Sequence, residues 1–107
     1  MNLPKVVADL VETQNSFDSV AYANCFSETA IVFDEGKTHN GRKEIECWIA
    51  NSNERYKATI KPVGFEEKEN KILLIAETSG NFPGSPILLT YHMEIADELI
   101  QSLKIAG

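Results

Sequence analysis

At 107 residues the chain is long enough for one hydrophobic core and too short for two. A composition of 43% hydrophobic and 24% charged residues is that of an ordinary globular protein and excludes wholesale disorder. Sixteen acidic residues against ten basic ones give a net charge of −6, which argues against a nucleic-acid partner, because binding a phosphate backbone needs cations that displace counterions. No run approaches the ~18–20 apolar residues of a spanning helix. The opening MNLPKVVADLVE reaches Asp9 and Glu12 before a signal-peptide core has formed, and no basic amphipathic stretch suggests a membrane surface. The expected location is the cytoplasm. Cys25 and Cys47 lack CxxC or Cys/His ligand spacing and fit reduced, buried fillers in a reducing compartment, so neither a metal nor a cofactor is expected.

The first half of the chain predicts helices. Asn2 is a candidate cap for a helix that tolerates Pro4 and carries Val6, Val7, Leu10, Val11 and Gln14 at near-helical spacing. Ser16 or Asp18 can cap a second, short helix ending near Phe26, with Val20, Ala21 and Cys25 on one side. A strand from about Ala30 to Asp34 follows and breaks at Gly36. Asn40 and Gly41 then start a third helix, in which Ile45, Trp48, Ile49 and Ser52 recur at i, i+3, i+4 and i+7.

The second half predicts four strands: KATIKPVGFEE, KILLIAETSGNF, ILLTYHMEI and LIQSLKIA. The first should bulge or sit at an edge, because Pro62 and Gly64 interrupt it. The turns KENK, PGSP and ADE suit consecutive antiparallel hairpins. Helices first and a meander afterwards predict an α+β fold with the helices on one face of a curved sheet. Alternation assigns Ile72, Leu74, Ala76, Thr78 and Gly80 to the covered face, with Leu89, Tyr91, Met93 and Ile95, and with Leu99, Gln101, Leu103 and Ile105. The opposite face is mixed: Leu73, Ile75, Leu88 and Ile100 lie among Thr90, His92 and Ser102. No remaining element covers it, and a homodimer through this face is expected.

On the covered face Ala76, Thr78 and Gly80 are small where a solid core asks for bulk, and Tyr91 and Gln101 add polar atoms. Small walls with a few polar groups are a common way to build a cavity for a small hydrophobic molecule. Packing by Phe17, Trp48 and Met93 is the plainer alternative. Asp34 is the pivotal residue. It is either a solvated acid at a strand end beside Gly36 or, on the side shared by Ala30 and Val32, a base facing the cavity.

The stretches FSETAIVFD (26–34), NGRKEIECWI (40–49) and YHMEI (91–95), in the order helix, helix, strand, helix, four strands, resemble the nuclear transport factor 2-like superfamily. The likeness is greatest to SnoaL-like polyketide cyclases and ketosteroid isomerases, and it extends over nearly the whole chain as a single domain. It implies a cone-shaped, curved antiparallel sheet wrapped around the three helices, a cystatin-like roll, although such a scaffold hosts many functions. It implies that Asp34 matches the isomerases' general base and that Tyr91 stands where they keep a neutral oxyanion donor. The isomerases' donor tyrosine in the first helix corresponds to Leu10, a departure that removes one donor. With these roles, Phe17, Val32, Trp48, Ala76, Thr78, Met93 and Gln101 are the expected substrate-binding residues. Two functions follow: a cofactor-independent isomerase, cyclase or lyase acting on a hydrophobic carbonyl compound, or a non-catalytic ligand-binding or dimerisation module. An epoxide-hydrolase mechanism would want an Asp–Arg–Asp set, and Arg42 and Arg55, the only arginines, belong to the third helix or its end. His39, His92 and the acidic EEKEN hairpin fit exposed or interface positions better than chemistry.

Overall fold

The computed structural model describes residues 2–107. The elements run α1 (Lys5–Asn15), α2 (Ser19–Ala23), β1 (Phe26–Asp34), β2 (Lys37–Asn40), α3 (Gly41–Tyr56), β3 (Thr59–Lys68), β4 (Lys71–Ser79), β5 (Ile87–Ala96) and β6 (Leu99–Ala106). All six strands form one sheet in the order β2-β1-β6-β5-β4-β3, and the three helices pack on its concave side. Among the described residues no helix is long and apolar enough to cross a membrane.

Local chemistry sets most boundaries. The first helix begins at Lys5 with Pro4, not Asn2, at its N-cap; proline fixes φ and lacks a donor, so it suits this entry position. Asp18 caps α2 by accepting from the Ala21 backbone N–H. The short helix turns Tyr22 and Ala23 inward and leaves Val20 exposed; of the side expected to be buried, Val20, Ala21 and Cys25, Cys25 is in the core and Val20 is not. In α3 the Glu44 carboxylate accepts from the Asn40 backbone N–H at 2.9 Å, and Arg42 donates through Nε and a second guanidinium nitrogen to the Phe26 carbonyl. That fork pins α3 against β1.

The hairpins β3–β4, β4–β5 and β5–β6 pair antiparallel as expected. Edge strand β3 has its irregularity between Pro62 and Gly64. Two features lie beyond the expected meander. Strand β1 is longer than Ala30–Asp34 and pairs parallel with β6, and the short strand β2 closes the far edge. The two-residue turn between β1 and β2 has Glu35 and Gly36 both at positive φ, 52° and 74°, the signature of a tight hairpin turn.

A register shift at Glu94/Ile95 places Ile95 opposite Ile100 and Glu94 opposite Ser102. Gln101 is the extra residue of this bulge. Ile100 is consequently fully buried and leaves the mixed face to which alternation assigned it. The Gln101 amide instead donates to the Ala96 carbonyl at 2.9 Å. The core is built on Val7, Leu10, Tyr22, Phe26, Val32, Ile45, Leu74, Ile100 and Leu103, all but inaccessible to solvent.

Candidate functional site

Beside this core the concave face remains open. A cavity of about 410 Å³ lies between α3, the end of β1 and strands β4 to β6. Its walls are largely apolar, with Ile49, Ile60, Leu89 and Ile105 among them, and its polar lining includes Asp34, Tyr22, Tyr91, Thr78 and Gln14.

Asp34 reaches the cavity because the turn is made by the two residues after it. It is still a strand residue, paired with Lys37, and it continues the inward row of Ala30 and Val32 while Ile31 and Phe33 point outward. Its carboxyl is raised above the ordinary aspartate range, first by desolvation and then by the neighbouring Glu35 charge. The Trp48 side chain, the Glu35 backbone and His39 pull the other way. Trp48, which stacks on His39 with ring centroids 5.5 Å apart, thus forms a wall and offers the acid a donor.

Tyr91 projects from the middle of β5 and is buried. Burial and the Asp34 charge push its phenol up, and the nearby Thr78 hydroxyl only partly offsets this. Tyr22 from α2 lines the same cavity and is also raised, by burial and then by Tyr91, Cys25 and Asp34. Both phenols are therefore neutral donors at pH 7, and both sense the Asp34 charge. Thr78 Oγ1 is buried at the cavity wall beside the Tyr91 phenol and makes no hydrogen bond of good geometry among the described residues. Gln14 is occupied: its amide donates to Asn53 Oδ1 and to the Ala58 carbonyl.

The residues expected to form the site divide. Asp34, Tyr91, Trp48 and Thr78 line the cavity. Val32, Ala76 and Met93 face the correct side but are sealed in the core. Gln101 is diverted by the bulge, and Phe17, in a positive-φ turn between α1 and α2, is 42% exposed and outside the cavity. Tyr22 was missed because the face of a five-residue helix cannot be fixed by periodicity. Tyr56 and Phe82 were missed because the element ends that bring them together are far apart in sequence.

Those two residues build the rim. Tyr56 Oη donates to Glu35 Oε1 at 3.1 Å, and Phe82 meets the Tyr56 ring edge-on at 6.3 Å. The Asn81 backbone N–H donates to the Tyr56 carbonyl at 2.7 Å, which fastens the β4–β5 loop to the end of α3. Gly80 permits this approach, since a Cβ there would stand 2.7 Å from the Tyr56 carbonyl oxygen and 3.1 Å from the Ala58 Cα. Both obstacles are backbone. Gly80→Ala is expected to destabilise the protein by roughly 1–3 kcal/mol, measurable by denaturant unfolding, and to loosen this rim.

No protein-family model matches the chain, and no curated protein sequence does. Solved structures do. A candidate polyketide cyclase from Sinorhizobium meliloti is 33% identical, with 97% of this chain and 95% of that one covered at a TM-score of 0.93. A Catenulispora acidiphila protein with a ketosteroid isomerase-like fold, solved in complex with trimethylamine, is 17% identical over 99% of this chain and 87% of its own, at 0.89. The epoxide hydrolase/cyclase-like enzyme of pyran ring formation in the polyether salinomycin is 20% identical over 94% and 86%, at 0.81.

Proposed function

The chain belongs to the nuclear transport factor 2-like superfamily, among its SnoaL-like, polyketide cyclase- and ketosteroid isomerase-related members, and from that premise we propose that it is a cofactor-independent acid–base enzyme acting on a small hydrophobic carbonyl compound. One observation carries this reading: a half-buried, partly desolvated carboxyl and two neutral phenols share a cavity whose other walls are mostly apolar. Asp34 is the general base. It takes a proton from the carbon beside the carbonyl, the C–H electron pair becomes the C=C bond of an enolate, and the carbonyl π pair moves onto oxygen. Tyr91 and Tyr22 donate to that oxygen. Return of the proton to a different carbon completes an isomerisation. Attack by the enolate carbon on a second carbonyl closes a ring: the first carbonyl re-forms, the π pair of the second moves onto its oxygen, and that oxygen takes back the proton held by Asp34, so the same residues serve both outcomes. Tyr22 supplies a second phenol where the first helix offers only Leu10, which is buried in the core. Trp48 and Thr78 hold the substrate.

The test uses 2-tetralone, whose acidic α-protons exchange measurably in D2O. Wild-type protein should accelerate that exchange, and Asp34→Asn should remove most of the acceleration, by about 10²–10⁴-fold. Binding of the ketone without accelerated exchange would make the protein a binding module instead.

We also propose that the outer sheet face forms a homodimer. Ile31, Phe33 and Leu88 are 45%, 40% and 59% exposed there, beside the partly covered Leu73 and Ile75. Sedimentation equilibrium at micromolar concentration should give twice the 11.9 kDa chain mass; a clean monomer would refute it.

A further inference from the structure

The charged side chains lining the cavity are of one sign. Asp34 and Glu35 are both present, and no Lys, Arg or His is among the lining residues. Neither carboxylate has an ion-pair partner among the described residues. Glu35 accepts from Tyr56 through Oε1, and its second oxygen has no hydrogen-bond partner among them.

Aromatic rings stand beside these acids, Asp34 half-buried and Glu35 exposed at the rim. Tyr22, Trp48, Phe82 and Tyr91 line the cavity, and Tyr56 stands at its rim beside Glu35. Tyr22 and Trp48 meet at 57° with centroids 6.1 Å apart, forming a corner. Ring faces carry negative electrostatic potential and attract cations, most strongly where water is excluded. One ring already has such a partner: the Arg55 guanidinium lies 5.0 Å from the Tyr56 centroid. That resident cation occupies the Tyr56 face; deeper in, Trp48 is stacked on His39 and Tyr22 is packed against Phe26, so a ligand meets only the sides of these rings that line the cavity. Thr78 Oγ1, buried at the cavity wall beside the Tyr91 phenol, offers an acceptor for an N–H donor.

We propose that the cavity selects an apolar molecule bearing a cationic nitrogen, a protonated amine or quaternary ammonium, held by Glu35 and the aromatic walls. The inference names a substrate class for the site and rests on the acid–base reading only for the second group, the carbonyl, that would face Tyr91. A neutral or anionic molecule of the same shape would forgo the attraction of two unpaired carboxylates and the ring faces.

Phenyltrimethylammonium and tert-butylbenzene have the same shape and differ by one charge. NMR titration of the protein with each, read on the Trp48 indole signal, should show the cation binding about tenfold or more tightly. Glu35→Gln should reduce that preference several-fold without changing the affinity for tert-butylbenzene. Equal or tighter binding of the neutral compound overturns the inference, as does failure of both to bind. Exchange of 2-tetralone, measured separately, reports whether the acid–base reading falls with it or survives with a neutral substrate.

Discussion

Asp34→Asn is expected to raise the stability of the protein at neutral pH while reducing catalysed α-proton exchange by about 10²–10⁴-fold, the usual contribution of a positioned general base. The two effects have one origin. Desolvation and the Glu35 charge lift the Asp34 carboxyl in the folded state above its value in the unfolded chain. Between those two values the native protein binds more protons than the unfolded one, so stability falls as pH rises through the interval. The penalty persists at every higher pH. An asparagine keeps the shape, never ionises and escapes the penalty. Thermal melts should therefore show the variant gaining on wild type as pH climbs from below a free aspartate's ~3.9 toward neutrality, with the advantage vanishing at the acid end. A variant that is less stable than wild type at every pH would mean that the carboxylate is held by favourable contacts.

The phenols should give the second large effect. Tyr91→Phe and Tyr22→Phe each remove one donor while keeping a ring that the core needs. Tyr22 is 1% exposed and packs against Phe26 at 5.6 Å, so the phenylalanine preserves that contact. Each single variant should reduce 2-tetralone exchange by about 10²–10³-fold, as removal of one oxyanion donor commonly does. The double variant should lose less than the product of the two, because donors to one oxygen act as a unit. Single variants with full activity, beside an inactive Asp34→Asn, would show that the carbonyl oxygen turns away from both phenols.

Much of this architecture was legible in the sequence, where a regular period links side chains to one surface. The row Ile72, Leu74, Ala76 and Thr78 is buried as alternation requires, and so are Tyr91 and Met93. What escaped has physical causes. Strand β2 contains Lys, Thr, His and Asn, with no apolar residue to mark it, and it exists because β1 offers an edge. The parallel pairing of β1 with β6 joins segments about 70 residues apart and has no local signature. Nothing in LIQSL announces the bulge that exchanged Ile100 for Gln101.

The candidate site shows the same division. Alternation identifies the face of a residue but not how far the cavity extends along the strand. Val32 and Asp34 share a row, as do Ala76 and Thr78, and in each pair the first is in the solid core and the second at the cavity. Resemblance to a known family singled out Asp34, which composition alone could not separate from a solvated turn acid. Tyr22 and the rim formed by Glu35, Tyr56 and Phe82 required the fold, because each depends on contacts between different elements.

Carbon-13 NMR titration of the Asp34 side-chain carboxyl tests the central claim most directly. A desolvated base beside Glu35 should titrate above the ~3.9 of a free aspartate, and its midpoint should move down when Glu35→Gln removes the neighbouring charge. A midpoint at the free-aspartate value, unmoved by Glu35→Gln, would place the carboxylate in water and contradict its assignment as the catalytic base.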